Sequence, residues 1–263
     1  MEKRKVIIHY HIFKNAGTSI DRMLKESFDE RWVNFDRPEA SAKISPSELE
    51  TFILDQPDLV AVSSHHAVPP LPVRHLEVYP IIFLRHPIDR AYSAYLFEWK
   101  KQKGLREPQG TFSEYVREKF KLPRRNAIED FQVIHLANRG YSQRNPSANI
   151  GDERILENAR NLLTEAGYFG VVDRYSDSLK LLAFMLQNYF PDLVFREFHE
   201  NSLQEKSSTL AVRVKDILAQ MEEATRIALV LGNQLDIRLY EYALGAFQQG
   251  LIRRCNENGS QYA

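Results

Sequence analysis

The chain has 263 residues, of which 43% are apolar and 27% charged, an ordinary composition for a folded globular protein. Its 35 basic and 35 acidic residues balance, so no overall field attracts nucleic acid or a membrane surface, and any attraction for an anion has to be local. The single cysteine, Cys255, excludes an internal disulfide and fits a reducing compartment, and its polar setting predicts a free surface thiol.

Three apolar runs in the first half predict buried strands, over residues 6–13, 59–64 and 78–84. A helix follows the first run, with apolar residues at helical spacing from Ile20 to Phe28, and another follows the third run over residues 88–100. This alternation is typical of a parallel sheet covered by helices on both faces. The first run is too short and too polar for a signal peptide or a membrane span, so we expect a cytoplasmic protein.

The second half is predicted to be mainly helical. The predicted elements are a helix around residues 156–163, a strand over 168–172, a helix over 176–190 with Ser176 as its N-cap, a strand over 194–198, and helices over 212–231 and 235–251. The sequence contains no repeat, low-complexity tract or linker. We therefore expect a single α/β domain over residues 1–263.

The loop between the first predicted strand and its helix has the composition of an anion-binding site. It reads Lys14-Asn15-Ala16-Gly17-Thr18-Ser19, so a cation, a glycine and two hydroxyl groups precede a helix N-terminus, where backbone N–H groups attract phosphate or sulfate. The nucleoside triphosphatase loop G-x-x-x-x-G-K-[ST] is absent, because here the lysine precedes the glycine. An ordinary strand-to-helix turn is the alternative interpretation of so short a motif.

A second candidate anion site follows the third predicted strand. Arg85 stands at the end of that strand and Ser93 lies two turns into the next helix, so both side chains can face one anion. Alternatively, Arg85 caps the sheet edge and Ser93 is a small packing residue. Ligands of open α/β sheets bind at the carboxyl ends of the strands, and two anion sites there suit a nucleotide with separated phosphates.

These segments resemble the sulfotransferases. Residues 11–19 resemble the 5′-phosphosulfate loop of that family, and residues 84–95 resemble its 3′-phosphate motif in the form typical of the heparan sulfate 2-O-sulfotransferase and bacterial carbohydrate sulfotransferase group. Residues 110–116, 169–179 and 236–243 are similar to later segments of the same group, in the expected order. The resemblance implies a P-loop-like three-layer fold with a central parallel sheet, a helix-rich C-terminal half, and sulfonate transfer from 3′-phosphoadenosine 5′-phosphosulfate (PAPS) to an acceptor hydroxyl, leaving 3′,5′-adenosine bisphosphate (PAP).

The resemblance also assigns roles to residues. Lys14, Asn15, Ala16, Gly17, Thr18 and Ser19 would hold the 5′-phosphosulfate, Arg85 and Ser93 the 3′-phosphate, and a late loop over residues 201–208 would touch the nucleotide through Lys206 and Ser207. A solvated surface loop is the alternative for that last segment. Two positions depart from the pattern: Asn15 stands where relatives often have Thr, and His86 stands where Asp is common, with turn packing before Pro87 as its expected role.

A histidine is expected to act as the general base. His65 and His66 end the predicted strand over residues 59–64, at the sheet edge that carries both anion sites, and the family places a histidine base at this step. The alignment favours His65, with His66 as the alternative after a shift of one residue; loop histidines without a chemical role are the third possibility. Lys14 would stabilise the charge on the departing nucleotide. The remaining histidines show no metal-ligand spacing, so we expect no metal.

The acceptor is implied to be a carbohydrate. Residues 100–125 carry nine Lys or Arg against three Glu, a net charge of +6, and we hypothesise that this segment, through Arg124 and Arg125, lines the acceptor cleft and favours an anionic glycan. A solvated basic surface is the alternative. Two other functions stay open: a small-molecule kinase with a P-loop-like fold, and a catalytically inactive relative that binds a nucleotide or a partner.

Overall fold

The fold is built on a central parallel sheet, as predicted. The computed structural model describes residues 3–102, 104, 108–122, 127–137, 152–198 and 209–259, without the side chains of 101, 102 and 252–259. Within these residues the sheet has five strands in the order β2-β3-β1-β4-β5, all parallel. The strands are β1 Arg4–Tyr10, β2 Trp32–Asn34, β3 Ala61–Ser64, β4 Leu76–Leu84 and β5 Gly170–Val171.

Helices connect and cover the strands. They are α1 Gly17–Phe28, α2 Pro46–Leu54, α3 Pro87–Phe97, α4 Phe112–Phe120, α5 Phe131–Leu136, α6 Asp152–Ala166, α7 Tyr175–Leu186, α8 Leu210–Ala219, α9 Glu223–Leu231 and α10 Gln234–Gly259. Capping boxes at Ser45 and Thr111 begin α2 and α4, since each side chain accepts from the backbone N–H three residues on while the Glu at that position reaches back.

The alternation of side chains along β1 creates the two layers that flank the sheet. Val6, Ile8 and Tyr10 join one buried cluster, with residues of α2, α5, α6 and α10. Ile7 points to the opposite face and joins a second cluster, with residues of α1 and α7. A third cluster packs α3 and α4 against α8 and α9. The predicted three-layer α/β architecture with helices on both faces is therefore confirmed.

Several element predictions are wrong in detail. Residues 194–198 form no strand, because the backbone N–H of Val194 bonds to the hydroxyl of Ser27 and Phe195 and Phe198 pack against the second cluster. Ser176 is not an N-cap: α7 begins one residue earlier, after Arg174, and no side chain caps it. The helix predicted over residues 212–231 is two helices, separated at Gln220–Glu222.

Other elements were not predicted or are longer than expected. Strand β2 and helices α2, α4 and α5 were not predicted from hydrophobic spacing, and the helix after β4 changes to a π-helix over Glu98–Gln102. Helix α10 continues past residue 251 and includes Cys255. Among the described helices, none combines the length and the hydropathy needed to cross a bilayer.

Candidate active site

A cavity of about 900 Å³ opens at the carboxyl ends of β1, β3, β4 and β5. Of the residues singled out in the sequence, it is lined by Lys14, Ala16, Gly17, Thr18, Ser19, His65, Arg85 and Ser93. Asn15 and His66 are not among its lining residues, and Arg124, Arg125, Lys206 and Ser207 lie outside the described part of the chain. The strand order explains the convergence. From β1 the chain builds β2 and β3 on one side of β1 and then crosses to β4 on the other side, so the carboxyl ends of β1 and β4 meet where the strand order reverses.

The loop after β1 has an unusual backbone. Lys14 and Ala16 both have positive φ angles, 66° and 62°, in the left-handed region that non-glycine residues rarely adopt. Ala16 stands immediately before α1 and offers no side-chain cap, and the N–H of Ser19 turns back to the carbonyl of Ala16 at 3.0 Å. Such strain concentrates at functional sites, and the uncapped N-terminus of α1 is suited to an anion.

Gly17 is required by its contact with His11. A Cβ atom at position 17 would lie 2.0 Å from Cδ2 and 2.2 Å from Nε2 of the His11 ring. The absence of a side chain therefore lets the imidazole pack directly on the helix N-terminus. The sequence pattern identified Gly17 but not its contact with His11.

The side chains of Lys14 and Asn15, in the same loop, face opposite ways. The ammonium of Lys14 lies 4.3 Å from the centre of the Phe97 ring, at the cavity wall. The amide of Asn15 is buried, and its Nδ2 donates to the carbonyl of Phe83 and to Oε1 of Gln132, each at 2.7 Å. The Asn15 side chain therefore fixes the loop to β4 and α5, and a contact between Asn15 and the nucleotide, which would have to come from its backbone, stays a prediction.

Two arginines share one buried carboxylate beside Ser93. Asp89 lies 2.6 Å from Nε of Arg85 and 3.5 Å from Nε of Arg213, a residue of α8 that the sequence analysis did not identify. Burial alone would raise the pKa of Asp89, but the two guanidinium groups lower it below its usual range. Nη1 of Arg85 also donates to the carbonyl of Lys14 at 3.2 Å, which joins the two predicted anion sites directly.

His65 and His66 occupy different environments. The backbone N–H and the Nδ1 of His65 bond to the two oxygens of Asp36, at 2.7 and 2.9 Å. Because a carboxylate only accepts, Nδ1 carries the proton and Nε2 is the basic nitrogen of the neutral ring. The His65 side chain is 33% exposed and lines the cavity, whereas that of His66 is 7% exposed and its Nδ1 accepts from the N–H of Arg37.

Asp36 was not identified in the sequence because it follows β2, a strand that the sequence analysis missed. Burial alone would raise its pKa, but the hydrogen bonds and charge of His65 lower it to about 2. Asp36 is therefore ionised at neutral pH and holds His65 in one tautomer, as the acid of a catalytic triad does for its histidine.

Three further residues form a hydrogen-bonded group next to His65, and two of them, His11 and Asp21, also line the cavity. Nδ1 of His9 and Nδ1 of His11 each lie 2.7 Å from a different oxygen of Asp21, and the His11 ring stacks on His65 with centroids 3.8 Å apart. Burial lowers the pKa of His11 to about 4, so its ring is neutral at pH 7. Sequence spacing did not predict this cluster. Its nitrogen and carboxylate atoms lie within 4.8 Å of one another, close enough to be considered as metal ligands. The 2.7 Å distances from each Nδ1 to Asp21 are those of hydrogen bonds.

The basic segment is only partly described. Arg117, Lys119 and Lys121 form ion pairs with Glu222, Glu98 and Glu118, and none of the three lines the cavity. His86, the other departure from the family pattern, is partly buried and packs edge-on against the ring of Tyr240, consistent with a packing role before Pro87.

Comparison with known proteins agrees with this geometry. Over 258 residues the chain is 28% identical to an uncharacterized protein of Archaeoglobus fulgidus, in an alignment that covers 94% of this chain and 99% of that protein. The profile of the sulfotransferase family matches residues 1–243, which include the whole sheet, both anion-site segments and His65. The chain therefore belongs to the sulfotransferase family.

Proposed function

We propose that the protein transfers a sulfonate group from PAPS to a hydroxyl group of a carbohydrate, with His65 as the general base. The observation that carries the proposal is the arrangement of the cavity wall. Along the sheet edge, the end of β3 supplies His65, the end of β1 supplies the loop with Lys14 and Gly17, and the end of β4 supplies Arg85. A base, a sulfonate site and a second anion site thus follow one another in order.

The cations and N–H groups of the cavity suit a nucleotide with two separated phosphate groups. The N-terminus of α1 and Lys14 would hold the 5′-phosphosulfate, and Arg85 with Ser93 would hold the 3′-phosphate. Arg213 adds a second guanidinium there, and the shared carboxylate of Asp89 orients both arginines toward one region. Guanidinium groups form strong, directional hydrogen bonds with phosphate oxygens.

The residues on the β3 side supply the proton transfer. In the reaction, the acceptor oxygen bonds to sulfur while the bond between sulfur and the bridging phosphate oxygen breaks, and the hydroxyl proton passes to Nε2 of His65. Asp36 keeps the other nitrogen protonated and stabilises the imidazolium that forms. Lys14 and the N-terminus of α1 stabilise the negative charge that develops on the departing nucleotide.

The carbohydrate acceptor is the narrower part of the proposal. It is supported by the resemblance of residues 84–95 to the 3′-phosphate motif of the heparan sulfate and bacterial carbohydrate group. A screen with labelled PAPS against neutral and anionic saccharides, a phenol and a steroid alcohol tests it. Label transfer to a saccharide alone supports the assignment, and transfer to the phenol or the steroid alone refutes it.

Calorimetric titration tests the donor. The protein should bind PAP more tightly than 5′-AMP or ATP, and Arg85→Ala should remove the preference for the 3′-phosphate. Equal or stronger binding of ATP would contradict the proposal and favour the kinase interpretation. With an active acceptor, His65→Ala should lower kcat by about 10²–10⁴-fold, whereas the matched variant His66→Ala should retain most activity if it folds; the reverse result would identify His66 as the base.

A further inference from the structure

Gln132 connects the two proposed anion sites through its side-chain amide. It lies in α5, is 1% exposed, and is not among the residues lining the cavity. Its Oε1 accepts from Nδ2 of Asn15 at 2.7 Å and from the backbone N–H of Arg85 at 2.9 Å. Its Nε2 donates to the carbonyl of Arg85 at 2.9 Å and to Asp236 at 3.3 Å. One amide thus bonds to the loop after β1 and to both polar groups of the Arg85 backbone.

These four contacts use the whole hydrogen-bonding capacity of the amide. A side-chain amide has two donor hydrogens and an oxygen with two lone pairs, and here each has a partner. Any shift of the loop relative to Arg85 would therefore leave a buried polar group unpaired, which is unfavourable. The amide therefore resists both sliding of the loop past Arg85 and separation of the loop from Arg85.

The position of Gln132 is itself fixed by α10. Asp236 accepts from the backbone N–H groups of Gln132 and Val133, at 3.1 and 2.7 Å. In return, Asp130 accepts from the N–H groups of Leu235 and Asp236 at the start of α10, each at 3.0 Å. The carboxylate of Asp130 thus bonds to the backbone of α10, and the carboxylate of Asp236 bonds to the backbone of α5. Gln132 therefore projects from a rigid support.

We infer that Gln132 is a positioning residue that sets the separation between the 5′-phosphosulfate loop and the 3′-phosphate arginine. The inference rests on the proposed function, because it requires one ligand to span both sites. A ligand held at two points gains affinity only when the sites lie at the spacing of its own groups, and misplacement by about 1 Å can cost a large factor in rate. The affinity for a ligand with only one of the two phosphate groups does not depend on that spacing.

The inference predicts a selective loss of the 3′-phosphate contribution. Gln132→Met preserves side-chain size and removes all four hydrogen bonds. We expect it to weaken PAP binding by about 10-fold while 5′-AMP affinity changes by less than about 2-fold, so the ratio of the two affinities falls. Asn15→Ala cuts only the loop side of the connection and should lower the same ratio; it decides the question if Gln132→Met does not fold.

Ser113→Ala is the control. Ser113 is also buried, and its hydroxyl accepts from the backbone N–H of Glu222 at 3.0 Å, but neither residue lines the cavity or contacts the Asp130 and Asp236 support. Its removal should lower the thermal midpoint, as Gln132→Met does, and leave the affinity ratio unchanged. A purely structural role for Gln132 would leave the affinity ratio unchanged in both variants.

The outcomes separate the inference from the proposed function. A wild-type protein that binds PAP and 5′-AMP equally would remove the proposed function and, with it, this inference. A wild-type preference for PAP that persists in folded Gln132→Met, or in Asn15→Ala when the former does not fold, would overturn the inference alone. Loss of the preference in Ser113→Ala as well would also overturn it, since any buried hydrogen bond would then have the same effect.

Discussion

Gly17→Ala introduces a methyl carbon into the space that the His11 ring occupies. The new atom would lie 2.0 Å from Cδ2, well inside van der Waals contact, so the ring or the helix N-terminus has to move. The ring is held by its hydrogen bond to Asp21 and by its stack on His65. Moving it breaks a hydrogen bond to a charged group, worth about 1.5–3 kcal/mol, and overpacking alone costs about 1–3 kcal/mol. We expect the free energy of unfolding to fall by about 3 kcal/mol.

Urea denaturation at pH 7 measures this change. Gly245→Ala in α10 is the matched control, because no atom lies within 4 Å of its added Cβ and the substitution should stabilise the helix by about 0.5–1 kcal/mol. In a His11→Ala background the added methyl group has no ring to meet, so the second substitution should cost little. A Gly17→Ala protein as stable as wild type, or an equal cost in the His11→Ala background, would refute the steric explanation.

Two further predictions concern ligand binding and acid stability. Arg213→Met should weaken PAP binding by about 10-fold without changing 5′-AMP binding, since it removes one guanidinium from the proposed 3′-phosphate site. Arg226 is an exposed arginine of α9, and Arg226→Met should change neither affinity. Equal losses for both nucleotides in Arg213→Met would contradict the proposed placement of Arg213. Burial lowers the pKa of His135 from 6.5 to about 4. As pH falls, the imidazole is therefore protonated in the unfolded chain before it is protonated in the folded protein. The stability that the neutral, buried ring allows is present above pH 6.5 and is lost progressively toward pH 4. Between pH 7 and 4.5 the loss from this residue is about 2 kcal/mol, and His135→Gln should reduce the pH dependence of the free energy of unfolding in urea by that amount. Identical pH dependence in the two proteins would contradict this.

The strand-loop-helix units could be predicted because their signals are local. Continuous apolar residues predict β1 and β4, and a glycine or proline marks each following turn. Strand β2 has three residues and no clear alternation, so it gave no signal, and Asp36, which follows it, was missed with it. Residues 194–198 have the apolar pattern of a strand, yet they cover a helical layer instead of pairing with the sheet. Tertiary packing, which a local pattern does not reveal, decides between the two.

The site residues that were missed are joined to the site across long stretches of chain. Arg213 reaches Asp89 across 124 residues, and Gln132 reaches Asn15 across 117, so neither pairing leaves a pattern in one sequence. The predicted residues Lys14, Gly17 and Arg85 belong to short motifs within one strand-to-helix turn each. A single sequence also cannot show which of the successive side chains His65 and His66 faces the cavity, because that depends on the register of the folded sheet; His65 lines the cavity and His66 does not.

The burial of Asp89 has a consequence for how the cavity responds to dissolved salt. Ions screen exposed charges over about 8 Å at physiological ionic strength but act weakly on buried pairs. Asp89 is almost wholly removed from solvent, whereas the two guanidinium groups that it holds also line the cavity. Concentrated salt therefore weakens the attraction of the cavity for an incoming anion while the arginine side chains stay in place. Affinity falls without loss of shape, so binding constants measured in different buffers can be compared only at equal ionic strength.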